Sequence, residues 1–368
     1  MHLPIKIAST HHVSEVIELY SVFNRFSNFG KLRELQSYFT NNVDNDSYKC
    51  YEYYRIDSIR SCVDSIVFID SFKEGWHVLR GPSKQWPKDK HYFILSAADW
   101  DTNDPQYQLP INYTLLYFPW VLFDIARAYS SFKHELFFSD ITYNFDYPKK
   151  ISFCSMSSSI KSHRRYIVEK LLPRLRPLTY AVKHEGKNLG LNIEHLDIVK
   201  NEADPYHYHH SANELFKTTL GRELQVTSWQ HMPIDIYNIS YYNLITESNQ
   251  QGKHFFPTEK IFKPIIAGIP FVCISTQNFL KRIQDLGFKT YDTIWDESYD
   301  EEPDDQLRLE LVADLCVKLE NFDWQAHRHK LVEIAWYNRK QWTNLSSIFA
   351  NCFKSMENNI AEFKNCNI

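Results

Sequence analysis

Short apolar runs bounded by polar residues recur along the chain and alternate with segments of helical periodicity. Runs of this length are typical of buried strands. The pattern predicts strands at residues 64–70, 91–96, 151–156, 178–183, 239–246 and 271–275. It predicts helices at residues 32–39, 119–128, 162–172, 259–267 and from Leu307 onward. Strand–helix alternation indicates an α/β fold with open parallel sheets covered by helices.

A change of pattern near Tyr147-Pro-Lys-Lys150 predicts a domain boundary. The chain has 368 residues, and domains of about 100–200 residues are usual, so two domains are expected. We predict one domain over residues 1–150, a second over 151–345, and a last helix over 346–368 that packs back on the first domain.

Composition narrows the class of protein. The 41 basic and 45 acidic residues give a net charge of −4, which argues against binding nucleic acid through bulk charge but allows a local basic groove. Only nine glycines occur, and the common dinucleotide and P-loop fingerprints are absent. Seven cysteines without a C-x-x-C pair and the lack of a long apolar run favour a cytoplasmic protein without a transmembrane segment.

A basic helix entrance follows the predicted strand at 151–156. Ser162 is a candidate N-cap, and Lys161, Arg164 and Arg165 lie at or near the first turn. Cations are unfavourable at the positive end of a helix unless an anion binds there, so this arrangement indicates a phosphate site. A solvated basic helix end is the alternative.

A second polar corner follows the predicted strand at 239–246. Glu247 ends the strand, and after a polar loop Thr258 can cap a helix that carries Glu259 and Lys260 in its first turn. A carboxylate here can accept sugar hydroxyls, and a lysine can neutralise phosphate. The alternative is that Glu259 only favours the helix dipole and that Lys260 is solvated.

These two corners, in this order, resemble the donor half of the α-1,3-fucosyltransferase family. The family carries Phe-Glu-Asn at a strand end and Thr-Glu-Lys at a helix entrance; here the matching stretches are Thr246-Glu-Ser-Asn249 and Thr258-Glu-Lys260, after an upstream His163-Arg-Arg-Tyr166 segment. The resemblance covers roughly residues 90–290. Ser248 replaces the family's asparagine, with Asn249 following it, and Pro264 interrupts the helix, so the identity of the sugar stays open.

The resemblance implies a hexosyl- or fucosyl-type transferase of the GT-B type, with two Rossmann-like domains facing a cleft. Residues 1–150 would be the acceptor side and 151–345 would bind a nucleoside-diphosphate sugar. Transfer would invert the anomeric centre without a metal or other cofactor. The donor-binding residues implied are Lys161, Arg164, Arg165, Glu247, Asn249, Thr258 and Lys260, with Glu259 stabilising the reacting sugar.

An inverting transfer also needs a base for the acceptor hydroxyl. We favour Asp99 or Asp101, which follow the predicted strand at 91–96, with Asp70 and Glu74 as alternatives. An ordinary loop-end carboxylate is the competing interpretation of each.

Several wider questions stay open at this point. The acceptor is expected to be a glycan, a protein or modified DNA. A non-catalytic nucleotide- or glycan-binding module, a nucleotide-sugar hydrolase and a scaffold protein are the alternatives. A metal site at His207 with His209 or His210 is unsupported by a second cluster, and an exposed imidazole-rich loop is the alternative. The acidic run at residues 296–305 is expected to be solvated.

Overall fold

The computed structural model describes most of the second half of the chain and parts of the first. The described residues are 6–9, 66–71, 88, 91–100, 112–117, 119, 121–122, 125, 142–157, 161–184, 187–191, 214–217, 223–226, 232–343, 345, 348, 351–352, 354–355 and 358–359. The chain divides into two compact units. Unit 1 comprises Met1–Arg127, His254–Phe256 and Leu345–Ile368, and unit 2 comprises Ala128–Lys253 and Pro257–Asn344.

Unit 1 contains a parallel four-stranded sheet. Its strands are β1 (Lys6–Ser9), β2 (Ile66–Ser71), β3 (His91–Ser96) and β4 (Tyr113–Tyr117), in that spatial order. The strand predicted at 91–96 is confirmed, and the one predicted at 64–70 is shifted by one or two residues. The helix predicted at 32–39 lies outside the described residues.

Unit 2 is built on a mixed five-stranded sheet. The strands are β5 (Ile151–Met156), β6 (Tyr180–His184), β7 (Lys187–Gly190), β10 (Ser240–Thr246) and β11 (Phe271–Ile274). Their spatial order is β11-β10-β5-β6-β7, and every pairing except β6–β7 is parallel. A separate antiparallel pair joins β8 (Glu214–Lys217) to β9 (Glu223–Val226).

The strand limits in unit 2 follow the sequence pattern closely. The strand predicted at 151–156 is confirmed to the residue, and those predicted at 178–183, 239–246 and 271–275 overlap β6, β10 and β11. β6 begins later than expected because Leu178 is exposed and takes a left-handed conformation with φ 64°. β10 begins at Ser240 because Ile239 ends a short helix, α2 (Ile234–Ile239).

The helix after β5 spans the predicted range but changes its winding. α1 (Ser162–Tyr166) continues as a π-helical turn at Ile167–Leu171 and a 3-10 turn at Leu172–Arg174. The prediction that Ser162 is the N-cap is wrong. Lys161 occupies that position in an extended conformation without a side-chain capping bond, so Ser162 is already the first helical residue.

α3 (Glu259–Ala267) has the predicted limits and the predicted cap. The Thr258 side chain accepts a hydrogen bond from the backbone N–H of Lys260, and the helix ends at Gly268 with φ 82°. An added Cβ at Gly268 would meet Cβ of Ala335 at 3.1 Å. Glycine therefore serves both the left-handed turn and the close packing of this corner. The helix continues through Pro264.

Three further α-helices lie in the described part of unit 2. They are α4 (Phe279–Asp285), α5 (Asp305–Leu319) and α6 (Trp324–Thr343). α5 begins two residues before the predicted helical segment because the Asp304 carboxylate accepts hydrogen bonds from the N–H groups of Gln306 and Leu307. Within the described part of the chain, no helix combines the length and apolar character needed to cross a membrane.

The expectation of a fully solvated acidic run at 296–305 is wrong for two of its members. Glu297 and Asp300 are buried. The Asp300 carboxylate accepts hydrogen bonds from the N–H groups of Leu280 and Lys281 at 2.9 and 3.0 Å, so it caps α4 from another segment. Glu297 accepts a hydrogen bond from the N–H of Tyr291 at 3.0 Å. Backbone N–H groups thus bond to both carboxyl groups, and the Thr290 side chain also bonds to Glu297, which makes their burial tolerable.

The buried Glu297 carboxyl makes stability depend on pH. Burial raises the pKa of Glu297 to about 8. The protonated carboxyl group therefore contributes its full stability below the pKa of an ordinary glutamate, and this contribution is lost as pH rises toward 8. In the wild type, Glu297 should lower the unfolding free energy by about 1.4 kcal/mol for each pH unit between 5 and 8. Glutamine does not titrate, so we expect Glu297→Gln to remove this part of the pH dependence. Urea denaturation at several pH values measures this slope.

The exposed neighbour Asp296 is the matched control for this experiment. The hydrogen bond from the Ser298 N–H lowers the pKa of Asp296, so Asp296→Asn should keep the wild-type slope between pH 5 and 8. A Glu297→Gln variant whose stability falls as steeply as that of the wild type would contradict the interpretation.

Candidate functional site

Polar side chains are concentrated at the carboxyl edge of the unit 2 sheet. The strands β5, β6, β10 and β11 run parallel, so their ends meet at this edge. Open α/β sheets bind ligands there because loops and helix entrances converge on it. The buried polar residues at or just beyond these strand ends are Ser157, Lys183, Thr246, Glu247, Ser275 and Thr276.

Glu247 joins the end of β10 to the entrance of α3. One carboxylate oxygen, Oε1, accepts from the backbone N–H of Thr258 at 3.1 Å. The other, Oε2, accepts from the Thr258 hydroxyl at 2.5 Å and from the Ser248 N–H at 3.2 Å. Burial raises the pKa of Glu247, although Lys260 and the bonds from Thr258 oppose that rise. The side chain is 0% exposed, and protein donors occupy both of its oxygens.

The predicted donor-contacting pair, Glu259 and Lys260, forms a direct ion pair. The Lys260 ammonium lies 2.7 Å from Glu259 Oε1 and 3.2 Å from the Thr258 hydroxyl oxygen. The two side chains are 16% and 19% exposed, so solvent and a ligand can reach them. Burial favours a higher pKa for Glu259, but Lys260 and Lys263 outweigh it and lower the pKa. The site therefore presents an ion pair that is partly exposed.

The first turn of α1 lies against the same strand end. The Arg164 guanidinium is buried and donates to the carbonyl oxygens of Thr246 at 3.1 Å and Glu247 at 3.4 Å. The Lys161 ammonium donates to the carbonyl of Ser248 at 2.5 Å. Arg165 is exposed. The structure thus brings Lys161 and Arg164 to the end of β10.

His163 occupies this corner as a neutral imidazole. Its Nε2 lies 2.9 Å from the carbonyl oxygen of Glu247, so Nε2 carries the proton and donates it. Burial, followed by the positive charges of Arg164, Lys161 and Lys260, lowers the pKa of His163 to about 4. No role for His163 follows from the sequence, because no local pattern distinguishes it from an exposed residue of the helix.

Arg308 fixes the loop that links Glu247 to Thr258. It is buried on α5 and donates to the carbonyl oxygens of Ser275 at 2.9 Å and Gln250 at 2.7 Å, and also to that of Glu302. Its guanidinium also pairs with the Asp305 carboxylate. The role of Arg308 could not be predicted from the sequence, because a charged residue in an amphipathic helix is expected to face solvent.

Further bonds hold the same loop against unit 2. The Gln250 side-chain amide donates to the carbonyl of Asp305 at 2.7 Å, and the N–H of Gln277 donates to the carbonyl of Gly252 at 3.1 Å. The carbonyl of the predicted donor-binding residue Asn249 accepts from the Ser275 hydroxyl at 3.4 Å. These contacts give the loop a defined path.

The candidate bases belong to unit 1. Asp99 is half-buried, and its backbone N–H and carbonyl pair with the carbonyl and N–H of Phe255, each at 2.8 Å. Beside it the Trp100 ring lies 4.8 Å from the ring of His254. Asp70 lies in β2. Asp101 and Glu74 lie outside the described residues, so the choice among these carboxylates stays a prediction.

Among the residues that the structure describes, no group of three or more His, Cys, Asp or Glu side chains is arranged to hold a metal ion. The loop with His207, His209 and His210 lies outside these residues. Cofactor use therefore stays a prediction.

The chain has a distant structural likeness to a solved enzyme and matches no known family. No protein-family model matches the chain, and no curated protein matches its sequence significantly. One solved structure that matches is the DNA-modifying enzyme β-glucosyltransferase, determined with and without its substrate uridine diphosphoglucose. The match covers 97% of this chain and 99% of that chain at 11% identity, with a TM-score of 0.46. A likeness at this level establishes neither family nor activity, and the resemblance to fucosyltransferases stays a prediction.

The buried Arg308 contacts predict a stability effect. Arg308→Lys keeps the positive charge but lacks the planar guanidinium group that donates to three carbonyl groups at once. We therefore expect a loss of about 2–3 kcal/mol in unfolding free energy. Urea denaturation measures the loss.

Arg328 provides the matched control for Arg308. It pairs with the exposed Asp146 at 2.6 Å, and exposed pairs contribute about 0–1 kcal/mol. Arg328→Lys should therefore change stability by less than about 1 kcal/mol. Equal losses in the two variants would contradict the assigned role of Arg308.

Proposed function

We propose that the chain is a glycosyltransferase that binds a nucleoside-diphosphate sugar at the carboxyl edge of the unit 2 sheet. The observation that carries this proposal is the convergence of three cationic side chains on the end of β10. Arg164 and Lys161 donate to carbonyls of residues 246–248, and Lys260 lies in the first turn of α3 beside them. Several fixed cations at the end of parallel strands form a favourable environment for a diphosphate.

The charge distribution suits the chemistry of a diphosphate leaving group. Negative charge develops on the leaving phosphate during transfer, and fixed positive charge lowers that barrier most when it is held in place beforehand. Arg164 is fixed by its carbonyl contacts. Lys260 is accessible and can exchange its contact with Glu259 for a phosphate oxygen.

Glu259 would then act on the sugar. Once Lys260 turns to phosphate, the Glu259 carboxylate is available to accept sugar hydroxyls or to stabilise an oxocarbenium-like transition state. Transfer would invert the anomeric centre, with Asp99 or Asp101 removing the proton from the acceptor hydroxyl. Fixed protein cations would take the role that a metal has in other transferases.

The donor site can be tested by thermal-shift measurements with UDP-, GDP-, ADP- and CMP-sugars. A ligand at 100 times its Kd stabilises the native state by about 2.7 kcal/mol, so we expect one nucleotide class to raise Tm by several degrees. Lys260→Met should lose most of this shift because the phosphate contact is removed. The exposed Lys330→Met is the matched control and should keep it. A folded wild type that responds to none of these nucleotide sugars would refute the proposal.

Turnover distinguishes transfer from its alternatives. The nucleotide sugar that gives the shift is incubated with a glycan, a protein or hydroxyl-bearing modified DNA, and sugar incorporation is followed. We expect incorporation to depend on one acceptor class. Release of free sugar at the same rate without acceptor would indicate a hydrolase, and binding without any turnover would indicate a non-catalytic module.

A further inference from the structure

Glu247 is placed where it cannot touch a ligand in the observed conformation. Its side chain is 0% exposed, and its oxygens accept from the Thr258 N–H, the Thr258 hydroxyl and the Ser248 N–H. The residue nevertheless lies between the two basic helix entrances. Any effect of Glu247 on a ligand must therefore pass through the groups that it holds.

Thr258 connects Glu247 to Lys260 through a single hydroxyl group. A hydroxyl has one proton to donate and two lone pairs that accept. The short 2.5 Å contact to Glu247 Oε2 takes the proton. The lone pairs are thereby directed at the Lys260 backbone N–H, 3.3 Å away, and at the Lys260 ammonium, 3.2 Å away.

We propose that Glu247 is a positioning residue of the donor site, which acts through Thr258 to hold the Lys260 ammonium where the diphosphate binds. The inference rests on the proposed function, because the ligand of Lys260 is the diphosphate assigned there. It differs from the role that the sequence suggested for Glu247, which was direct contact with the donor. Glu247 orients the Thr258 hydroxyl, and the hydroxyl oxygen in turn holds the Lys260 ammonium.

Isosteric variants separate positioning from direct contact. In Glu247→Gln an NH2 group replaces one carboxylate oxygen, so the single remaining oxygen cannot accept from the Thr258 hydroxyl, the Thr258 N–H and the Ser248 N–H together. Thr258→Val removes the hydroxyl at nearly constant volume. Thr258→Ser keeps the hydroxyl and is the conservative variant that should restore function. If Glu247→Gln fails to fold, the two Thr258 variants still test whether the hydroxyl positions Lys260.

The first readout is the Kd of UDP and of GDP by calorimetry. We expect Glu247→Gln and Thr258→Val each to weaken the binding nucleotide about tenfold, and Thr258→Ser to stay within about twofold of the wild type. The double variant should bind about as weakly as either single variant, because both act on one chain of contacts. A double variant whose affinity falls about a hundredfold, the product of the two single losses, would overturn the proposal. Wild-type affinity in Glu247→Gln would overturn it as well.

The second readout needs no nucleotide. Lys260 is acetylated with limiting acetic anhydride, and its rate is compared by peptide mass spectrometry with that of the exposed Lys330. We expect faster relative labelling of Lys260 in Glu247→Gln and Thr258→Val than in the wild type and Thr258→Ser, because the ammonium has lost an oriented acceptor. An unchanged labelling rate in both variants would overturn the positioning role.

Asp300→Asn is the matched control for a general loss of stability. Asp300 is also a buried carboxylate that accepts backbone N–H groups at a helix entrance, that of α4. The variant should lose stability without changing Lys260 labelling or nucleotide affinity. If the wild type binds none of UDP, GDP, ADP and CMP, the proposed donor site fails. The labelling comparison then decides on its own whether Glu247 positions Lys260.

Discussion

The contact between the Glu247 carboxylate and Thr258 is the constraint on which the candidate site depends. It joins the residue that follows β10 to the N-cap of α3, across the ten residues that lie between Glu247 and Thr258. Because a buried carboxylate is costly unless donors surround it, the loop must return Thr258 to one place. The ion pair of Glu259 and Lys260 is consequently held at the same strand end as Arg164.

The contacts of Arg308 stabilise the loop that this geometry requires. Arg308 donates to carbonyls from the loop, from the end of β11 and from the segment before α5. These carbonyls leave the regular sheet and helix ladders, where burial without a partner would be unfavourable. One guanidinium thus satisfies several irregular backbone groups, and the loop around the site keeps a defined path despite having no strand or helix of its own.

The sequence predicted those features that are determined locally. The limits of α3 were correct because a capping threonine at 258 and a glycine at 268 mark its ends within a few residues. The roles of Glu247, Arg308 and Asp300 were not predictable in this way, because their partners lie in distant segments. No pattern in a single sequence shows that a carboxylate or guanidinium will be buried against backbone groups 11 to 58 positions away.

Hydrogen exchange with mass spectrometry tests the central claim most directly, because it locates a bound nucleotide on the chain. The measurement compares the protein alone with the protein saturated by UDP or GDP. A diphosphate bound at the end of β10, beside Lys161, Arg164 and Lys260, predicts slower exchange in peptides covering residues 161–166 and 246–262 and little change in α6. Protection confined to other parts of unit 2, or no protection at saturating nucleotide, would contradict the account.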